Sequence, residues 1–344
     1  MVDSEDHERE ALFVSLPMAQ LPKIAVTMGD PAGVGPEVCL ELLANEEVSS
    51  ACVPIVFGDR KVLDRCAEVT GRPKAERHVD EAGLADCNRP AVFSVPSISL
   101  SDFEPGTVNA ATGEAGYAYI DRAINLGLAG VIDGVATAPI NKEALRAAGY
   151  SQPGHTEIFA ERTEAETSCM MLTADILTCS FVTVHVGYHE VPKLLTEERI
   201  GEVIDLTREA MKRIRDREPK MIVCGLNPHA GENGLFGNSE EERVIIPAIE
   251  KARAAGADIE GPLPPDTVFL DWRREQTDAV ICMYHDQGHI PMKALAFDRA
   301  VNTTLGLPFP RTSADHGTAL DIAWQGKAEA GSLIAAALLA VKLL

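Results

Sequence analysis

Short apolar segments that alternate with amphipathic ones constrain the fold of this chain more than any other feature of its sequence. Strand-like runs rich in Val, Ile and Ala occupy residues 23–28, 53–58, 91–95, 131–138, 169–173, 177–185, 220–226 and 279–284. Helical periodicity separates or follows them at residues 37–44, 113–126, 142–148, 155–162, 198–215, 240–255, 318–324 and 329–343. Strands that are apolar on both faces and alternate with helices indicate an α/β fold with a parallel sheet covered on both sides.

The length of 344 residues is sufficient for two domains with well-buried cores. Residues 1–22 lack periodicity and are predicted to be a flexible N-terminal extension. No Pro/Gly-rich linker divides the rest of the chain, so two domains would have to share one continuous sheet.

Charge and cysteine usage limit the partners and the compartment. A net charge of −21 argues against nucleic acid, and an anionic substrate would need cations gathered locally against that field. The eight cysteines form no CxxC pair and several lie in apolar runs, which is typical of buried free thiols in a reducing compartment. The acidic N-terminus is unlike a signal peptide, and the longest apolar run, residues 333–341, is too short to span a bilayer. We therefore expect a cytoplasmic protein that does not insert into membranes.

Ligand sites in parallel sheets form at the carboxyl ends of the strands, where this sequence places several polar clusters. The first is the loop GDPAGVGPE at residues 29–37, whose glycines allow close backbone approach ahead of a helix N-terminus. It matches neither the GxGxxG fingerprint nor a Walker motif. A ligand-binding role and a purely structural role for these glycines therefore both stay open.

Three histidines follow three predicted strands: His185, His229 and His285. Imidazoles that leave neighbouring strand ends can converge on one metal ion and leave a position open for substrate. Each alone could be a strand-end histidine satisfied by local hydrogen bonds, and it is the repeated placement that favours a metal site.

A basic group near the C-terminus, Lys293 and Arg311 with Asn302 between them, is a candidate anion clamp, whereas we interpret Arg299 as a surface residue. His155 and Thr156, in the string PGHTE, could present donors to a phosphate at the start of a helix.

Seven sequence motifs match one known protein family, and the match covers nearly the whole chain from about Lys23 onward. The motifs are MGDPAGVGPE, TAPINK, GHTE, CGLNPHAGE, GPLPPDT, MYHDQG and VNTTLGLPFPRTSADHGTALDIA. With these motifs the chain resembles the 4-hydroxythreonine-4-phosphate dehydrogenase family of vitamin B6 biosynthesis.

The resemblance implies a fold like that of isocitrate and isopropylmalate dehydrogenases. Two α/β/α domains would share a continuous sheet around a cleft, and two chains would form a homodimer with shared active sites. We expect residues 23–134 and 301–344 to form the first domain, including the NAD-side loop. Residues 135–300 would form the second domain, with the metal site and the dimer interface.

The resemblance also assigns roles to individual residues. It implies a divalent metal (Zn, Mg or Co) on His185, His229 and His285, and a substrate held by His155, Thr156, Lys293, Asn302 and Arg311. It implies NAD, with NADP as an alternative, at Asp315, His316, Gly317, Thr318 and Asp321. Lys142, Asp266 and Asp286 are the candidate catalytic residues.

The implied reaction is oxidation of the C3 hydroxyl of 4-phosphohydroxy-L-threonine, followed by decarboxylation to 3-amino-2-oxopropyl phosphate. The strings VTVHVGYHEV, TAPINK and HDQGHIPMK depart from the usual family pattern and are similar to a sister group. That group oxidises 4-phospho-D-threonate or 4-phospho-D-erythronate and gives dihydroxyacetone phosphate. A phosphate acyltransferase, which shares the broader fold, and a non-catalytic metabolite-binding protein are the remaining alternatives.

Overall fold

The computed structural model describes residues 20–296 and 300–344. Most of the predicted N-terminal extension, and Arg299, therefore lie outside the described residues. The strands are β1 Lys23–Thr27, β2 Val53–Gly58, β3 His78–Val79, β4 Ala91–Ser94, β5 Gly134–Thr137, β6 Cys169–Ala174, β7 Leu177–Phe181, β8 Lys220–Cys224, β9 Asp258–Leu263, β10 Ala279–Cys282, β11 Val301–Leu305 and β12 Arg311–Ala314.

The α-helices of the described residues are α1 Gly35–Leu43, α2 Glu46–Ala51, α3 Arg60–Thr70, α4 Glu81–Leu84, α5 Ala110–Leu128, α6 Lys142–Ala147, α7 His155–Arg162, α8 Val191–Leu194, α9 Glu197–Arg215, α10 Ile246–Ala254, α11 Pro265–Val268, α12 Asp271–Arg274, α13 His285–Ala296 and α14 Gly331–Lys342. A 3₁₀ turn at Pro228–Gly231 and a π-helical turn at Glu241–Ile245 complete the regular structure described. None of the described helices is both long and apolar enough to cross a membrane.

One sheet of 12 strands runs through the molecule in the order β3-β4-β2-β1-β5-β12-β11-β6-β7-β10-β8-β9. The predicted α/β class with a continuous sheet is thus confirmed. The expectation of a wholly parallel sheet is wrong, because β6 pairs antiparallel with both β7 and β11, and β11 pairs antiparallel with β12. The connections from β6 to β7 and from β11 to β12 are too short for the crossover that parallel strands require.

Apolar side chains on both faces of the sheet explain why helices cover both sides. One continuous core lies between one face of the sheet and the helices α1, α3, α9, α10 and α14. On the opposite face the core is in two parts: one lies under α5 and α7, and the other under α13. A cleft lies between these two parts, above β6, β11 and β12. Because the sheet is continuous, the two-domain division stays a prediction.

Two further sequence expectations are decided by this structure. All eight cysteines are buried and free, as predicted. The predicted helix at residues 318–324 is wrong, since this segment forms turns with left-handed backbone at Ala319 (φ 42°) and Trp324 (φ 60°). Such conformations interrupt a right-handed helix.

Candidate active site

The cleft above the middle of the sheet contains a polar pocket of about 280 Å³. Its walls come from segments that are far apart in sequence: the starts of α6 and α7, one residue each of β6 and α13, and parts of β11, β12 and the segment after β12. The predicted site residues that line it are Lys142, His155, Thr156, His185, Asn302, Arg311, Asp315, His316 and Gly317.

Arg311 is the dominant charge of this pocket. It begins β12 and is 1% exposed, with its guanidinium above the ring of Phe159 at 5.4 Å. It donates hydrogen bonds to the hydroxyls of Thr304 (3.1 Å) and Thr137 (2.7 Å), while its Nε has no partner among the described residues. Burial lowers the pKa of Arg311 to about 9. It forms no ion pair within the part of the chain that the structure describes. The negative charge of Glu157, which lines the same pocket, raises the pKa of Arg311 but does not offset the effect of burial, so a buried cation without an ion-pair partner faces the pocket.

Polar atoms around Arg311 also lack partners. Nε2 of His155 and Oδ1 of Asn302 are buried and make no hydrogen bond within residues 20–296 and 300–344. Burial, together with the positive charges of Arg311 and Lys142, holds the pKa of His155 well below its ordinary value, so this imidazole is neutral. Unused hydrogen-bonding atoms beside an unpaired guanidinium suit an oxygen-rich anion.

The two predicted lysines are placed differently. Lys142 is exposed at the first turn of α6, lines the pocket, and makes no hydrogen bond or ion pair to the described residues. Lys293, on α13, does not line the pocket. It forms an ion pair with Asp315, which lines it, so its expected contact with substrate stays a prediction.

Two of the three predicted metal ligands lie side by side. His185 follows β7 by a short loop, and His285 is the first residue of α13, with 5.8 Å between the ring centroids. Nδ1 of His185 lies 3.3 Å from Oε1 of Glu157, and Nδ1 of His285 lies 2.7 Å from Oδ1 of Asp286. Carboxylates that orient imidazoles in this way are typical of metal-binding histidines.

The third predicted ligand, His229, is exposed and lies apart from the other two. Its turn follows β8, which is separated from β7 only by β10, so all three histidines follow the same edge of three adjacent parallel strands. Its side chain is instead near Phe236, with 6.1 Å between ring centroids. In the described residues, no group of three or more His, Cys, Asp or Glu side chains is arranged to hold a metal ion. The three-histidine site therefore stays a prediction.

The candidate catalytic carboxylates are also separated. Asp286 accepts a hydrogen bond from the Tyr188 hydroxyl, and this bond, with that from His285, lowers the pKa of Asp286. Asp266 is exposed on α11, which packs against the turn of His229 rather than against the pocket. The structure thus places only Asp286 beside the paired histidines.

A second pocket, of about 590 Å³, adjoins the first and shares Asp315, His316 and Gly317 with it. Its other walls are Val34 of the glycine-rich loop, the segment that follows Gly317, and the first turn of α14. Thr318 is buried against the glycine-rich loop: its carbonyl oxygen accepts a hydrogen bond from Val34 (3.0 Å), and a Cβ on Gly33 would lie 2.9 Å from Thr318. Asp321 is exposed and lines neither pocket. Three of the five predicted NAD-binding residues thus line this pocket, and its role as the cofactor site stays a prediction.

Sequence reasoning missed two polar residues that line the polar pocket, Glu157 and Ser313. His289, a sequence neighbour of the predicted ligand His285, also lines it. His289 stacks on His285 with 3.5 Å between ring centroids, and burial lowers its pKa to about 4. Its spacing of four residues from His285 was the available signal, but it applies only once residues 285–296 are known to be helical.

Comparisons with known proteins identify the family of the chain. A family described as "Pyridoxal phosphate biosynthetic protein PdxA" matches residues 50–340. The chain belongs to the PdxA family. It is 47% identical to a 4-hydroxythreonine-4-phosphate dehydrogenase of Desulfosudis oleivorans, over 92% of this chain and 94% of that protein. It is 43% identical to a D-threonate 4-phosphate dehydrogenase of Pectobacterium atrosepticum, over 93% of this chain and 98% of that protein.

Solved structures give the same assignment. The structure of 4-hydroxythreonine-4-phosphate dehydrogenase from Klebsiella pneumoniae superimposes with a TM-score of 0.80 at 42% identity, covering 93% of this chain and 98% of that one. The predicted family is confirmed, and this PdxA-family chain is an enzyme of the dehydrogenase type.

Proposed function

We propose that this enzyme catalyses NAD-dependent, metal-assisted oxidation of a secondary hydroxyl on a small phosphorylated hydroxy acid. The observation that carries the proposal is the buried guanidinium of Arg311, which forms no ion pair with the described residues and faces a polar pocket that adjoins a second, larger pocket. A buried cation is costly unless an anion is provided, and in this pocket the substrate would provide it.

The substrate's anionic groups would be held from two sides. Arg311, at the buried end of the pocket, can donate a hydrogen bond from its Nε, and its planar guanidinium suits an oxygen anion. Lys142, at the exposed end of the pocket, can contact the anion from the other side. His155, Thr156 and Asn302 add neutral hydrogen-bonding groups between them. In a protein of net charge −21, this local gathering of cations would be needed to admit an anion at all.

The residues near the cleft fit a divalent metal in part. His185 and His285 are adjacent imidazoles, each held by a carboxylate, and are donors that suit zinc or cobalt as well as harder ions at open sites. His229 would have to come from a second copy of the chain, as the predicted homodimer with shared sites implies. A metal bound there would supply a Lewis acid that favours ionisation of the substrate hydroxyl and loss of hydride to the nicotinamide.

The chain's own residues would orient the substrate and donate a proton after decarboxylation. Asp286 holds the ring of His285 through Nδ1, so Nε2 of that ring is the atom that can face a metal. The Nζ atom of Lys142, which forms no ion pair with the described residues, is the candidate for proton transfer: as the ammonium it would donate a proton to the carbon that carbon dioxide leaves. Oxidation gives a β-keto acid, which then loses carbon dioxide. Asp266 has no catalytic role in this mechanism unless it reaches the active site of a second copy of the chain across a dimer interface.

Charge in the pocket bears on the choice between an amino and a hydroxyl group at the substrate's C2. The pocket has two carboxylates, and both already have partners: Glu157 contacts His185, and Asp315 pairs with Lys293. A substrate ammonium would find no free carboxylate there. This favours 4-phospho-D-threonate, which yields dihydroxyacetone phosphate, over 4-phosphohydroxy-L-threonine, which yields 3-amino-2-oxopropyl phosphate.

Assembly and location are part of the proposal. Exposed apolar side chains surround the paired histidines, with Val186 at 40%, Tyr188 at 65% and Ile290 at 65% exposure, and a second copy of the chain would bury them. Eight buried free thiols fit a reducing, cytoplasmic setting.

The decisive experiment measures NADH formation with each of the two substrates, with and without added Zn²⁺, Mg²⁺ or Co²⁺ after chelation. We expect metal-dependent NADH formation and a higher kcat/KM for 4-phospho-D-threonate. Acyl transfer to phosphate without redox chemistry would identify an acyltransferase, and substrate binding without turnover would identify a binding protein. Either result would refute the proposal, and a higher kcat/KM for the amino substrate would refute the assignment at C2.

A further inference from the structure

The wall of the second pocket is a segment with little internal support. Residues 315–330 connect β12 to α14 without forming a helix or a strand. Within the segment, only turn hydrogen bonds such as Ile322 N to Ala319 O (3.1 Å) and Gln325 N to Ile322 O (3.3 Å) hold the backbone. A binding wall of this kind needs anchors from outside, because turns alone leave the chain free to move.

Arg72 provides such an anchor for the second half of the segment. Its Nη2 donates to the carbonyl oxygens of Ala328 (2.6 Å) and Gly326 (3.2 Å), and its Nη1 lies 3.0 Å from Oε2 of Glu41. The Arg72 side chain is 20% exposed, and Ala328, which lines the pocket, is 5% exposed. The guanidinium thus ties this wall of the pocket to α1 and α3.

The backbone around these bonds is closely fitted. The segment turns at Gly326 with φ 72°, and a Cβ there would lie 3.0 Å from the carbonyl oxygen of Thr70. Two residues before Gly326, the indole of Trp324 donates a hydrogen bond to the carbonyl oxygen of Pro31 (3.0 Å) in the glycine-rich loop. The segment is therefore held by contacts to the glycine-rich loop and to the end of α3. Lys293 is a charged anchor at its start, through Asp315, and Arg72 is the charged anchor of its second half.

We propose that Arg72 is a positioning residue for the cofactor pocket, which fixes Ala328 and Glu329 in the geometry that receives the dinucleotide. The inference rests on the proposed function, since it takes the second pocket as the NAD site. Only a planar guanidinium can serve both carbonyl oxygens and the carboxylate of Glu41 at once. Loss of the anchor should weaken cofactor binding and leave substrate binding in the neighbouring pocket unchanged.

The test compares Arg72→Gln, Arg72→Lys and Glu41→Gln in the full-length enzyme. Charge-assisted hydrogen bonds of about 1.5–3 kcal/mol correspond to about a tenfold to hundredfold change in binding. We expect Arg72→Gln to raise the KM for NAD and the Kd for NADH by about tenfold, with the substrate KM and the kcat at saturating NAD within about twofold of wild type. Arg72→Lys should lie between Arg72→Gln and wild type. Glu41→Gln, which keeps the bonds to Ala328 and Gly326, should be nearest to wild type.

The matched control is Arg65→Gln, which removes an exposed arginine of α3 whose ion-pair partner is Glu68. If the wild-type enzyme fails to bind NADH in a fluorescence titration, the proposed function fails before the variants are considered. If wild type binds NADH and Arg72→Gln binds it as tightly as Arg65→Gln does, the positioning role is refuted. An equal rise in both KM values would also refute it, since that is the signature of general destabilisation. Should Arg72→Gln not fold, Arg72→Lys gives the same comparison.

Discussion

Replacement of Arg311 tests the anion site most directly. The side chain is 1% exposed and donates hydrogen bonds only to the neutral hydroxyls of Thr304 and Thr137. Burial lowers its pKa from its ordinary value to about 9. Keeping this charge in the folded protein without a bound anion therefore costs on the order of a few kcal/mol. The cost is present below the folded-state pKa and disappears only as the pH rises toward the pKa of the unfolded chain.

Opposite effects on activity and stability follow from this cost. Loss of one charge-assisted bond to the substrate is worth about 1.5–3 kcal/mol, so Arg311→Ala should lower kcat/KM for the phosphorylated substrate by at least about tenfold. Arg311→Met, which keeps an apolar stem above Phe159 and removes the charge, should be at least as stable as wild type in urea unfolding. A structural arginine would give a less stable protein instead.

The assay separates the two pockets. Steady-state kinetics of Arg311→Ala should show a changed substrate KM or kcat/KM, while the KM for NAD changes by less than about threefold. Inorganic phosphate should raise the Tm of wild type and not that of Arg311→Met. Arg299→Ala, a change at the predicted surface residue, should have little effect. If Arg311→Ala left kcat/KM unchanged and Arg299→Ala lowered it strongly, the substrate pocket would have been assigned to the wrong residues.

Three further outcomes can be checked independently. Chelation should abolish activity, and His229→Ala should lower the metal content measured by atomic emission; full activity of a metal-free preparation would contradict the metal site. Mixing His229→Ala with Arg311→Ala should restore some activity through hybrid dimers, and no recovery despite proven subunit exchange would argue against a shared site. Asp278 should contribute to the stability of the protein at neutral pH and lose that contribution in acid. Its side chain is 8% exposed and accepts two hydrogen bonds from Arg217 (2.7 and 2.8 Å). Burial raises its pKa, but these hydrogen bonds and one from the backbone of Lys220 outweigh burial and lower it. Its contribution is present above the unfolded pKa and is lost as pH falls through the lower folded pKa. Asp278→Asn should therefore lower the free energy of unfolding by about 1–3 kcal/mol at pH 7, with a difference from wild type that shrinks below about pH 4. An undiminished difference at pH 3 would contradict this.

The elements that the sequence predicted well are those whose signal is local. Residues 53–58 and 155–162 form a strand and a helix with the predicted bounds, because an apolar run or a helical period is complete within the segment itself. The motifs that follow strands also identified most of the polar pocket, since parallel strands bring their carboxyl ends to one edge whatever their order in the sheet. The family was also predicted correctly from the sequence motifs alone.

Tertiary structure alone decided which cations face the pocket. Arg311 and Lys293 have the same role in the sequence argument. In the structure, however, Arg311 is enclosed and forms no ion pair with the described residues, whereas Lys293 pairs with Asp315. The antiparallel placement of β6 and β11, and the turns that replace a helix at residues 318–324, likewise depend on contacts between distant segments. The sequence by itself determines the class of fold, which follows from the local hydrophobic pattern. It also determines which reactive side chains are present, since these are residue types. Which charges stay unpaired is decided by long-range packing, since burial and counter-ions come from segments that the local pattern does not relate.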